Sequence, residues 1–302
     1  MKRIFECLDG GSEQLQKKKK ITVYSILVTM TAILLTLAIL LVSSVVSAIR
    51  NNLPDNSETE TEGNGTPAGF VSTSGLAADN HLLSLPYAGG EPTVVKIADH
   101  RASKDGDNAY SILGTDDLYA DATALNAFNE MTLAFLAVAP DNLLYVCDAY
   151  RHNRPDADYA AGTSFSLSYS HEGNRDTTIY GVDTYAWLYS NAHKYGFIQL
   201  YSTEDVTVDG TVDRNKACIF RYVGIPHATY IYGQGQYKTY SLAEHLEALT
   251  KRAAGKALTL TDGYRAYYIA PGEAQLIPTA EQYDYTVSSN GSGGFIVTYK
   301  KK

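Results

Sequence analysis

The chain has 302 residues, 45% of them hydrophobic and 19% charged, enough for an anchor, one sizeable domain and a smaller appendage. Of its 25 Lys/Arg and 33 Asp/Glu, residues 1–50 hold seven and three, which leaves 18 and 30 beyond Arg50 and a net charge of −12 there. A body so acidic, with no basic stripe, is repelled by polyanions and excludes nucleic acid as an expected partner.

Residues 1–20 read as a cytoplasmic tail. Ile21 to Ile49 carries no charge and exceeds the roughly 20 residues needed to cross a bilayer core of about 30 Å. Lys17 to Lys20 precede it directly, so residues 21–49 are expected to be a transmembrane helix at the cell membrane, N-terminus in the cytoplasm and the rest of the chain extracytoplasmic. A cleaved signal peptide ending at Val46-Ser47-Ala48 is the rival reading, but the apolar run is far longer than the roughly 7–15 residues of a signal core. Residues 50–81, poor in bulky apolar side chains and rich in Ser, Thr, Asn, Gly and acids, read as a flexible acidic linker.

The main domain is expected over residues 82–253. Apolar spacing from Thr123 to Ala139 predicts a helix, broken by Pro140, after which "LLYVCDAY" is a buried strand. "SFSLSYS" alternates, with Phe165, Leu167 and Tyr169 on one face and Ser164, Ser166, Ser168 and Ser170 on the other; a polar face explains these serines better than a nucleophile does, since no nucleophile-elbow motif surrounds them. Residues 171–183 read as loop, and Thr184 to Tyr195 as a helix capped by Thr184 and ended by Gly196. "FIQLYS" and "ACIFRYVG" are further strands, and Tyr240 to Ala253 is a helix with Ser241 and Glu244 as a capping box. Alternating residues and Gly-rich turns make 254–302 a small β appendage. This order defines an α+β domain on a central antiparallel sheet. Cys147 and Cys218 fall in predicted strands, which leaves both a disulfide and two buried thiols open; no CxxC or Cys/His cluster points to structural zinc.

Several stretches resemble one family. "CDAYRHN", "AWLYSNAHKYGFIQLY", "IFRYVGIPHA" followed by "SLAEHLEAL", and "YTVSSNGSGGFIVT" are similar to segments of the D-alanyl-D-alanine carboxypeptidases of the vancomycin-resistance Y type, zinc enzymes of hedgehog/DD-peptidase-like fold that trim peptidoglycan stem peptides. The resemblance implies substrate contacts at Tyr150 and Arg151. It also implies a His and an Asp ligand seven residues apart, a third His ligand, and a glutamate base. Laid onto this chain, those ligand positions hold Ala161, Ser168 and Ile219, and the base position holds Lys216; sliding the first pair by two residues gives Tyr159 and Ser166 instead. Ala and Ile donate nothing to a metal, and a charged Lys neither binds a dication nor accepts a proton from water. The expectation is therefore a membrane-anchored pseudopeptidase with no zinc and no catalytic residue. Its cleft would bind a peptidoglycan stem peptide or a cell-envelope protein through Tyr150, Arg151 and Lys216. The alternatives are an active peptidase with relocated ligands drawn from His152, His171, Glu172 and Asp176, and an envelope assembly protein whose cleft is vestigial. His193 and His227 read as packing residues and Arg221 as a brace of its strand.

Overall fold

The computed structural model describes residues 66–84, 92–114, 117–141, 144–153, 156–171 and 174–302. The expected cytoplasmic tail, the membrane helix and the linker as far as residue 65 lie outside this set. Among the described residues no helix is long and apolar enough to cross a membrane. In chain order the principal elements are β1 (Phe70–Thr73), β2 (Ser111–Ile112), α1 (Ala122–Val138), β3 (Leu144–Asp148), β4 (Ser164–His171), β5 (Asn174–Thr178), α2 (Ala186–Asn191), β6 (Phe197–Gln199), β7 (Ile219–Tyr222), α3 (Ile225–Gly235), α4 (Leu242–Thr250), β8 (Leu258–Thr259), β9 (Tyr264–Ile269), β10 (Gln275–Pro278), β11 (Tyr283–Ser289) and β12 (Phe295–Lys301).

The central sheet runs β6-β7-β4-β3-β2, antiparallel except for the parallel β2–β3 pair. β5 shares an edge of β4 with β7: the first half of β4 pairs with β7, the second half with β5. Side-chain alternation along β4 separates two environments. Phe165 and Leu167 are buried in the core that holds α1, where Phe128 stacks on Phe165 at 4.4 Å and 4°. The serines at 164, 166 and 168 take the opposite face. Asp121 starts α1 by accepting from the backbone N–H of Thr123 and Ala124 at 2.9 and 3.0 Å, and the helix then buries Leu125, Phe128, Met131 and Phe135 on one stripe. Each such side chain contributes about 1.5–3 kcal/mol.

The predicted helix from Thr184 is a shorter α2 between two single 3₁₀ turns, and no side chain caps its start, so Thr184 is not its N-cap. Gly196 ends it at φ +85°; a Cβ there would lie 2.5 Å from the Tyr222 ring. Ser241 and Glu244 do form the capping box of α4. Three departures from expectation follow, the first and third set by tertiary pairing. The stretch 171–183 contains β5, which forms because the edge of β4 is open beside it. "IPHATYIYGQG" folds as α3, started by Gly224 at φ +83° with Pro226 in its first turn, where proline is tolerated.

The third departure concerns residues 66–81, expected to be linker. They include β1, which pairs with β10, and Phe70 packs against Tyr267, Tyr283 and Tyr299. The segment after it is strapped across the C-terminal sheet β8-β9-β12-β11: Asp79 accepts from the Val287 N–H at 2.8 Å, and the Ser289 N–H donates to Asn80 at 3.0 Å. That sheet is no detached appendage. Its Leu258, Ala266 and Ile296 share one apolar cluster with Ile231 of α3, Leu249 of α4 and Ile219 of β7.

Candidate functional site

A cleft of about 270 Å³ opens on the serine face of β4, where its edge passes from β7 to β5. Its walls are Cys147 and Asp148 of β3, Ser166 and Ser168 of β4, Thr178 of β5, Tyr159, and Asn215 and Cys218 ahead of β7. Strand pairing puts Ile219 directly opposite Ser166. Tyr159 and Ser166 line this cleft together, and Tyr159 shares an apolar cluster with Ile219. Burial, before any other cause, pushes the Tyr159 hydroxyl well above the usual tyrosine range.

Three of the positions read from the sequence therefore meet in one place: Tyr159, Ser166 and Ile219. The pair Ala161 and Ser168 is arranged differently. Ala161 is buried in the turn before β4. Ser168 sits one pair further along the strand, opposite Tyr145 and Thr178, with its hydroxyl accepting from the Cys147 thiol at 2.8 Å. Alternation placed both serines on the same face; only the cross-strand register distinguishes them.

Arg151 is tied to the cleft wall through Asp148. Its Nε donates to Asp148 Oδ1 at 2.9 Å, and both side chains are about a quarter exposed. Asp148 Oδ1 also accepts from the Ala149 N–H, which fixes the carboxylate that orients the guanidinium. Tyr150 is buried, and its carbonyl accepts from the Tyr119 N–H at 2.9 Å while its ring meets His152. Lys216 is exposed and lines a second cleft of about 410 Å³ with Asp205, Asp213 and Ser241. Its Nζ is 5.3 Å from the centre of the Tyr201 ring, whose hydroxyl donates to Asp158. The three side chains expected to share a ligand are thus not gathered in one cleft: Arg151 stands by the first and Lys216 by the second. The reason is local, since Lys216 lies in the 3₁₀ turn Lys216–Cys218 and not on β7 itself.

The residues at the meeting point do not fit a zinc ion. Tyr159 and Ser166 offer neutral hydroxyls, and Ile219 offers hydrocarbon, where zinc takes imidazole, thiolate or carboxylate. Among the described residues no three His, Cys, Asp or Glu side chains converge as a metal site requires. Of the residues considered for relocated ligands, His152 packs its ring against Tyr119 at 4.5 Å; the side chains of His171, Glu172 and Asp176 lie outside the described set. Cys147 and Cys218 are not bridged.

Sequence reasoning did not find the role of Arg221 in full. It is buried on the same face of β7 as Ile219, and its Nε and a terminal nitrogen donate to the carbonyls of Leu82 at 3.3 Å and Ser84 at 2.5 Å. Burial lowers its guanidinium to about 10, so it is charged at neutral pH, and it fixes the 82–84 strap to the central sheet.

The mixed sheet, with a long helix on one face and a cleft on the other, has a counterpart among solved structures. The chain matches the crystal structure of the vancomycin-resistance D,D-dipeptidase VanXYg, solved with a D-Ala-D-Ala phosphinate analogue, at a TM-score of 0.51 and 17% identity, over 72% of this chain and 93% of that one. No protein-family profile matches the chain. It is 40% identical over 55 residues to a D-alanyl-D-alanine carboxypeptidase of Enterococcus faecalis, covering 18% of this chain and 20% of that protein. With a D-alanyl-D-alanine carboxypeptidase of Enterococcus faecium it shares 27% identity over 112 residues, 37% of this chain and 35% of the relative. The matched stretches span about a fifth and a third of those relatives. Over those stretches the chain resembles D-alanyl-D-alanine carboxypeptidases at weak identity.

Proposed function

We propose that the protein is a membrane-anchored, extracytoplasmic pseudopeptidase. It keeps a D-alanyl-D-alanine carboxypeptidase-like cleft to bind a peptidoglycan stem peptide, or a cell-envelope protein presenting similar chemistry, without cutting it. The observation that carries this reading is the convergence of Tyr159, Ser166 and Ile219. These side chains supply neither a metal's donors nor a base that activates water. Binding needs less than catalysis does. A cleft with hydroxyl walls, and the guanidinium of Arg151 held by the wall residue Asp148, suits a small peptide ending in a carboxylate, which an arginine fork recognises in two-point fashion. The hydroxyls of Ser166, Ser168 and Thr178 would serve its amide groups. Lys216, in the neighbouring cleft, adds positive charge for the same carboxylate-ended ligand.

The test has two arms on the purified full chain. Elemental analysis and an assay of D-Ala release from a pentapeptide stem address catalysis; binding of the same pentapeptide by calorimetry, with and without Arg151→Ala, addresses the ligand. The expected result is no zinc, no release, and binding that weakens at least tenfold in the variant. Stoichiometric zinc with D-Ala release would overturn the reading in favour of a working peptidase with relocated ligands. Absence of binding would leave the cleft vestigial.

A further inference from the structure

Two buried histidines join the body of the molecule to its C-terminal sheet. His227 of α3 and His245 of α4 are 4% and 0% exposed. His227 Nδ1 lies 2.8 Å from His245 Nε2, and His227 Nε2 lies 2.7 Å from Thr298 Oγ1 on β12. The chain of contacts therefore crosses from one helix to the other and on to the sheet. Leu242, Leu249, Ala266 and Ile296 share the apolar cluster around it.

We propose that His227, His245 and Thr298 form an acid-sensitive latch that holds the C-terminal sheet to α3 and α4 at neutral pH and releases it when the imidazoles take up a proton. The proposal stands on these contacts alone and does not depend on the reading of the cleft.

The hydrogen count gives the mechanism. Two neutral imidazoles carry one N–H each, which is the number the two links can use. His245 can donate to His227 and His227 to Thr298; alternatively Thr298 donates to His227 and His227 to His245. In either order His245 Nδ1, which is buried, has no partner. A further proton leaves an imidazolium whose extra N–H faces no acceptor, in surroundings that disfavour charge.

The neighbouring groups do not offset that charge. Tyr230 of α3 and Tyr240, just before α4, present rings to His245 at 5.4 and 6.3 Å. On α4, Glu244 is held in the capping box and Glu247 by Lys251 at 2.8 Å. On β12, Lys300 lies over the Tyr264 ring at 5.0 Å, and on β9, Arg265 is engaged with Tyr299. Burial lowers the imidazole of His227 to about 3; burial first and His227 second hold His245 well below its usual value. Both groups are depressed histidines, so the closed state binds fewer protons than the open one. The latch is therefore intact above about pH 6.5 and weakens as pH falls below it, by up to tenfold per pH unit for each histidine that opening frees to charge.

Hydrogen exchange of the full chain at pH 7.5 and 5.0, normalised for intrinsic exchange, tests this. Amides of β9 and β12 are expected to lose at least tenfold protection at pH 5.0, while those of β4 and β7 keep theirs. His245→Phe, which fills the site without titrating, is expected to remove most of that pH step. Imidazole NMR of the unmodified protein supplies a readout free of any folding defect: both rings should stay neutral through pH 7 and charge together with the loss of β12 protection. Equal loss in β4 and β7 would mean ordinary acid unfolding and would sink the proposal. So would a pH step undiminished in His245→Phe, or imidazoles that titrate while β12 stays protected.

Discussion

Ile219 faces Ser166 across the β7–β4 ladder, and Ser166 lines one cleft with Tyr159, seven residues earlier in the chain. Directly paired side chains on neighbouring strands have Cβ atoms about 4.5–5.5 Å apart, so these positions can present groups to a common point. Rebuilding donors there is the most direct test of the register. The triple variant Tyr159→His, Ser166→Asp, Ile219→His is expected to take up one zinc per chain, measured by elemental analysis after dialysis. The set Ala161→His, Ser168→Asp, Ile219→His is expected to take up none, because Ser168 is paired one step further along β4. Zinc in the second set and not the first would reverse the assignment.

How much of this was legible in the sequence depends on how far each determinant reaches along the chain. The periodicity of α1, the Ser241–Glu244 capping box and the Gly196 helix end are set within a few residues and could be read directly. The alternation of β4 gave the face of its serines. It could not give the partner of Ser166, because a two-residue slip preserves the face and only pairing with Ile219 decides between registers. β5 and β1 were not legible for the same reason. Asn174–Thr178 is polar and becomes a strand only beside β4, and Phe70–Thr73 finds its partner about 200 residues away. Lys216 is a cleft residue by the family resemblance alone; the 3₁₀ turn Lys216–Cys218 sends its side chain to Tyr201 instead.

The Asp148–Arg151 pair should be energetically modest, whatever its role in recognition. Both side chains are about a quarter exposed, so solvent screens the attraction. A double-mutant cycle of Asp148→Asn and Arg151→Gln, followed by urea unfolding, is expected to give a coupling of about 0.5–1 kcal/mol. A coupling near zero would mean that Asp148 does not orient the guanidinium.

The pairing of β1 with β10 makes the segment before residue 82 part of the folded body. Phe70 sits 5.5–6.0 Å from three tyrosine rings, whereas its neighbour Val71 is 45% exposed. Phe70→Ala is expected to cost about 2 kcal/mol in urea unfolding, below the range for a fully enclosed phenylalanine. Val71→Ala should stay within about 0.5 kcal/mol. Similar costs for the two would indicate that residues 70–73 do not dock as a strand.

The close approach at Gly196 couples the end of the α2 segment to β7 and α3, and a comparison of two glycines isolates that contact. Gly196 and Gly210 both adopt left-handed backbone, at φ +85° and +75°. A Cβ on Gly210 meets nothing within 4 Å, so Gly210→Ala should cost only the backbone term, about 1–2 kcal/mol. A Cβ on Gly196 would lie 2.5 Å from Tyr222 Cε2 and 3.1 Å from the Ile225 backbone nitrogen. The backbone nitrogen cannot swing aside as a side chain can, so Gly196→Ala must displace both β7 and the start of α3. Its cost in urea unfolding is expected to exceed that of Gly210→Ala by about 1–3 kcal/mol, the range for overpacking a filled interior. Equal costs would mean that the junction has room to give, and that Gly196 is needed for its backbone angle alone.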